Sequence, residues 1–135
     1  MIVFISCVKL KQNKRCRAEE LYISDLFKKE LAYAKSLNPR KIYILSAKYG
    51  VVELDDVIDP YELTLNKMKE QDRKRWAYNC YTQLQNKNIN FDEKAIFLCG
   101  NNYRKYLMRM FKDADAPLKE LGIGKQLKFY KNHIK

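Results

Sequence analysis

The sequence predicts an α/β fold: a single three-layer domain over residues 1–135, with a short, mostly parallel sheet between flanking helices. Three observations carry that expectation. First, Ile2-Val3-Phe4-Ile5, Ile42-Tyr43-Ile44-Leu45 and Ala95-Ile96-Phe97-Leu98-Cys99 are apolar throughout and rich in β-branched or aromatic residues, as strands covered on both faces are. Second, segments with helical periodicity separate these runs, which is the pattern of parallel strands joined by helical crossovers. Third, each run ends abruptly in small, polar or basic residues: Ser6-Cys7-Val8-Lys9, Ser46-Ala47-Lys48-Tyr49-Gly50 and Gly100-Asn101-Asn102-Tyr103. Ligands of such sheets bind beyond the carboxyl ends of the strands. All three motifs are therefore expected on one functional edge.

The elements follow in order. After the first strand a basic loop leads to a helix that begins at Ala18 or Ser24 and ends at Leu37. Ile23, Leu26, Phe27, Leu31 and Ala34 give it one apolar face. Asn38-Pro39 stops it, because the residue before proline avoids helical geometry. The second strand follows at once. Residues 48–65 hold five of the sixteen acids (Glu53, Asp55, Asp56, Asp59 and Glu62) together with Pro60, and read as a long irregular loop packed down by its own valines and leucines. A helix is expected over 66–85, burying Met68, Trp76 or Ala77, Cys80 and Leu84, then a polar turn and the third strand. Tyr103, Leu107, Met110 and Phe111 predict a helix over 102–112. A last helix is expected over 125–132, after Gly122-Ile123-Gly124.

Composition narrows the function. With 47% hydrophobic and 32% charged residues the chain is expected to fold rather than remain disordered. No apolar stretch approaches the ~20 residues needed to span a bilayer. The first residues read as a core strand and not as a signal peptide, so the default location is cytoplasmic. Cys7, Cys16, Cys80 and Cys99 lack the close pairing of a zinc site and only one histidine is present, so no metal or cofactor is called for. Cys80 and Cys99 read as buried, reduced thiols. The net charge of +11 is the strongest clue. Lys9, Lys11, Lys14, Arg15 and Arg17 run without an intervening acid, and Arg104, Lys105, Arg109 and Lys112 form a second block. Blocks at strand ends attract a polyanion, most simply DNA or RNA.

Candidate site residues come from the three strand-end motifs. Ser6, Cys7 and Lys9 combine backbone amides, a hydroxyl and an ammonium at a turn, which suits a phosphate or carboxylate. Cys7 as a nucleophile lacks an activating partner in the sequence. Ser46 supplies a hydroxyl, Lys48 a charge and Tyr49 a ring for stacking, while Gly50 permits a positive φ. Asp56 is the best carboxylate for general-base work, and Tyr61 closes the acidic loop. Gly100, Asn101, Tyr103 and Arg104 complete the edge. Gly122-Ile123-Gly124-Lys125 lacks the preceding strand and the terminal hydroxyl of a phosphate-binding loop, and is discounted.

These residues resemble a known group, the YaaA-like proteins, and more closely a set of small bacterial and phage domains of unassigned function. The YaaA second motif, Leu-Ser-x-x-Tyr-Gly-Val and then Asp-x-Ile-x-Pro-Tyr-x-Leu, is met without a gap by Leu45, Ser46, Tyr49, Gly50, Val51, Asp56, Ile58, Pro60, Tyr61 and Leu63. The small domains are similar in their Ser-Cys-x-Lys start and Ala-Lys-Tyr-Gly turn. The resemblance implies a core like that of uracil-glycosylase-like enzymes and a link to nucleic acid. The helix-hairpin-helix insertion of YaaA proteins has no room here, which removes the grounds for assuming duplex affinity. The expected activity is cleavage or modification of a base or nucleoside near its glycosidic bond, with Lys9, Asp56 and Ser46 at the reaction and the other named residues binding. The alternatives are a binding module for DNA or RNA without catalysis and a small enzyme acting on free nucleotides.

Overall fold

A computed structural model describes residues 1–133. Its centre is a five-stranded sheet of order β4-β3-β1-β6-β7, built from β1 (Ile2–Ser6), β3 (Lys41–Ser46), β4 (Gly50–Glu53), β6 (Ala95–Phe97) and β7 (Ala114–Asp115). Neighbours are parallel except β3 and β4, which form an antiparallel hairpin. The expected mixed α/β class, with a mostly parallel sheet between helices, is the one observed. β1 is the central strand and every residue of it is buried, which is why its sequence shows no polar alternation. Phe4 stacks on Phe97 at 4.6 Å and meets Phe111 edge-on at 5.6 Å, so the aromatic residues of β1 and β6 form one packed layer.

The helices cover the sheet. α2 (Asp25–Ser36) packs on β1, and α5 (Ile123–His133) packs on α2 through Tyr33, Phe129 and Tyr130. α3 (Glu70–Asn86) packs on β4. Two shorter helices, α1 (Ala18–Leu21) and α4 (Asn101–Arg104), sit within the connections. Ser24 caps α2, its hydroxyl accepting from the Phe27 amide at 3.1 Å, so the first helical segment divides into α1 and α2 at the cap.

Three expectations change. Residues 48–65 are not one irregular loop: β4 returns along β3, and β5 (Val57–Ile58) pairs with β2 (Cys16–Arg17) in a small antiparallel ribbon. Gly50, at φ 75°, makes the tight hairpin turn, and Val51-Val52 fill the sheet beyond it. The helix expected over 102–112 stops at Arg104, with one further 3-10 turn at Met108–Met110. Phe111 must turn extended there, because the Lys112 amide bonds to the Phe91 carbonyl at 2.9 Å and leads the chain into β7. The 66–85 helix begins only at Glu70, after a 3-10 turn at Leu65–Lys67. Among the described residues no helix is long and apolar enough to cross a membrane.

Candidate functional site

Because β1, β3 and β6 run parallel, Ser6, Ser46 and the residues after Phe97 leave the sheet on one edge. The Cys7 amide still bonds to the Leu45 carbonyl at 3.0 Å, fixing Cys7 at the strand end. Ser46 is fully buried and fully engaged. Its hydroxyl accepts from the Tyr49 amide at 3.0 Å and donates to the Tyr61 hydroxyl at 2.7 Å, and its carbonyl accepts from the Trp76 indole at 2.9 Å. Tyr61 in turn shares a 2.6 Å hydrogen bond with Tyr22. From the other side Tyr103 brings its hydroxyl to Cys7 Sγ at 3.4 Å and receives the Leu65 amide at 3.3 Å. Trp76 meets the Tyr103 ring edge-on, closing the cluster beneath.

Lys11 stands over this cluster, its Nζ 4.6 Å from the centre of the Tyr61 ring and 5.8 Å from that of Tyr22. Burial pushes its ammonium below the ordinary lysine range, and nearby Cys7 and Glu62 oppose that shift. Burial pushes the Tyr22, Tyr61 and Tyr103 hydroxyls well up, so all three keep their protons at neutral pH. The site therefore offers phenols, a thiol and an ammonium, and no carboxylate is hydrogen-bonded to these cluster atoms among the described residues. Such a set of donors binds carbonyl-rich or anionic groups.

The sequence-predicted residues divide between this cluster and its rim. Ser46, Cys7, Tyr61 and Tyr103 meet in it, and Ser6 lies directly behind, 9% exposed. Tyr49 packs its ring edge-on against Tyr61 at 5.6 Å, and Lys48 lies over Tyr49 at 5.3 Å. Gly50 shapes the turn below them. Lys9 is exposed on the rim, and its carbonyl accepts from Lys11 Nζ at 3.2 Å. Gly100 and Asn101 are exposed at the start of α4, and Arg104 donates to the Cys99 carbonyl at 2.8 Å, a structural use. Asp56 lies apart: its carboxylate accepts from the Glu53 amide at 2.9 Å, closing the turn between β4 and β5. With Arg15, Tyr49 and Asp59 it borders a shallow concavity on the ribbon side.

Sequence reasoning missed Lys11, Tyr22, Trp76 and Glu30 as site residues. Lys11 was visible only as one member of a basic block, and the isolated bridge from Lys11 to Tyr22 that aims it is a tertiary contact. Glu30 carried no signal at all. On α2 it reads as a surface residue, yet it is 2% exposed, with Oε1 unpartnered and the Ser6 amide as its neighbour. Burial pushes its carboxyl well above the usual range. Lys9, Lys14, Lys48, Lys67 and Lys69 are exposed and, among the described residues, make no ion pair. They follow β1, β3 and the turn that holds Leu65 against Tyr103, and so ring the edge.

Fold and site together define a three-layer α/β protein whose polar side chains converge at the carboxyl ends of parallel strands. Residues 2–132 match DUF6884, described as a family of unknown function, and the chain belongs to that family. A comparison with curated proteins finds no match.

Proposed function

We propose that this edge holds a base or nucleoside of a nucleic-acid strand and cleaves or modifies it near the glycosidic bond. The observation that carries the reading is the convergence of Cys7, Tyr61, Tyr103 and Lys11 on one donor-rich spot, ringed by lysines that make no ion pair among the described residues. Phosphates suit the lysines, and a base with ring carbonyls suits the phenols and their faces. Removing a base from a stack costs a few kcal/mol, so a domain of this size fits an already exposed, single-stranded substrate. Of the reacting residues expected from sequence, Ser46 supports the cluster and Lys9 serves the rim. A YaaA-like relationship and a cytoplasmic setting complete the proposal, on the motif match from Leu45 to Leu63.

One observation favours a second reading, binding without catalysis: the Asp56 carboxylate is already taken by the Glu53 amide. The test uses the single tryptophan, Trp76, which touches both Ser46 and Tyr103. Its fluorescence is titrated with tRNA and with modified phage DNA while released bases and altered nucleosides are measured by mass spectrometry, with Lys11→Met as control. A product lost in the variant supports an enzyme. Saturable quenching with no product selects the binding module, and no quenching by either polymer sinks both.

A further inference from the structure

We propose that the flank where α3 meets the chain after α4 holds a second phosphate, at Tyr106, Lys105, Lys74 and Arg109, so that the substrate is a polynucleotide strand and not a free nucleotide. The inference rests on the nucleic-acid reading above and deepens it. Tyr106 is half-buried and follows Tyr103 of the cluster by three residues. Three exposed cations surround its ring: Lys105 Nζ at 5.2 Å from the ring centre, Arg109 Cζ at 5.4 Å and Lys74 Nζ at 5.6 Å. Among the described residues Lys74 and Arg109 make no ion pair.

One carboxylate stands among these donors. Glu70 opens α3, and one of its oxygens accepts from Lys105 Nζ at 3.0 Å and from the Tyr106 hydroxyl. The other oxygen accepts from Arg73 Nη1 at 3.3 Å. The donors thus already converge on an anion, and the chain's own carboxylate takes the place that a phosphate would fill. Asp72, the next acid on α3, is occupied by Arg75 at 3.4 Å. Printed bonds tie this flank to the strand-end cluster. Arg73 also donates to the Leu65 carbonyl at 2.8 Å, and the Leu65 amide donates to the Tyr103 hydroxyl. Asn102 reaches across from α4 to the Asn66 side chain at 2.8 Å. A strand with one base at the cluster passes Lys67 and Lys69 and brings a neighbouring phosphate to Tyr106. A free nucleotide seated at the cluster leaves those cations unused.

The test titrates the full chain into fluorescein-labelled oligouridylate and follows anisotropy, with uridine monophosphate as an unlabelled competitor. Each variant is checked for an unchanged thermal midpoint. Lys74→Ala combined with Arg109→Ala is expected to weaken oligouridylate binding about tenfold, the sum of two exposed charge contacts. It should leave competition by uridine monophosphate as in wild type. Glu70→Gln, which removes the competing carboxylate, is expected to bind oligouridylate about threefold more tightly. Asp92→Asn, the same charge change at the amino end of the sheet, should not. Three results overturn the proposal and leave the nucleic-acid reading standing: uridine monophosphate binding as tightly as the oligomer, equal effects of Glu70→Gln and Asp92→Asn, or a loss from the double variant no larger than that from Lys94→Ala with Lys112→Ala. Wild type that binds neither probe removes both.

Discussion

Glu30 brings a carboxyl into the layer between α2 and β1, beside Ser6, Cys99 and the equally unpartnered hydroxyl of Tyr130. A neutral acid tolerates that setting and a carboxylate does not. Its folded-state pKa lies well above the 4.5 of an ordinary glutamate. Stability from this group is therefore full below pH 4.5 and falls as pH rises toward the folded value. Glu30→Gln keeps an acceptor for the Ser6 amide and carries no charge at any pH. It is expected to melt with wild type at pH 4 and about 3 °C or more above it at pH 8. A calorimetric series across that range reads the difference, and a gap that is constant with pH contradicts the upward shift. The buried tyrosines are the opposite case. Tyr22 and Tyr61 satisfy each other, so their burial costs little beyond fixing two rings.

At the scale of elements, the β3–β4 hairpin organises the site, because its turn carries Ser46, Lys48 and Tyr49. Gly50 holds φ 75°, and an added Cβ would lie 2.2 Å from Gln83 Oε1. That side chain cannot swing away freely, since it accepts from the Val51 amide at 2.8 Å and donates to the Tyr49 carbonyl at 3.0 Å. Gly50→Ala is expected to cost about 2 kcal/mol in urea unfolding, from φ strain plus the displaced bonds. Adding Gln83→Ala should recover none of the φ strain. A second clamp joins the amino ends of the strands, where Arg40 and the Met1 ammonium bind Glu93 and hold its carboxyl down at about 2. Its stability is present above the ordinary 4.5 and lost as pH falls toward 2, so Glu93→Gln should flatten the acid limb of the thermal midpoint. These elements also show what was legible. The apolar runs of β1, β3 and β6 and their polar endings announced the sheet and its working edge, because burial on both faces leaves a local signature. β4, β7 and the end of α4 did not, since each is decided by its pairing and not by a long apolar run: the hairpin with β3 for Gly50–Glu53, and the distant Phe91 and β6 for residues 112–115. The same holds for the site, where the motif residues were readable and Lys11, aimed by its bridge to Tyr22, was not.

For the whole molecule the charge of +11 matters less than its polarity along the strand direction. Lys9, Lys14, Lys48, Lys67 and Lys69 lie on connections at the carboxyl end of the sheet, whereas Lys94 immediately precedes β6 and Lys112 comes two residues before β7, at its amino end. A strand of phosphates drawn only by net charge would use both groups alike. One seated on the strand-end cluster would use the first group. Each phosphate neutralised on a single strand contributes about −0.7 to the slope of log K against log salt, so five engaged lysines give about −3.5. Titrations of oligouridylate followed by Trp76 fluorescence at several salt concentrations measure that slope directly. Combining Lys9→Ala with Lys48→Ala should make it shallower by about 1.4 and weaken binding at low salt. The pair Lys94→Ala and Lys112→Ala removes the same charge and should leave the slope unchanged. Equal losses from the two pairs would mean that the polyanion is held by the overall field and that the carboxyl edge has no special claim on it.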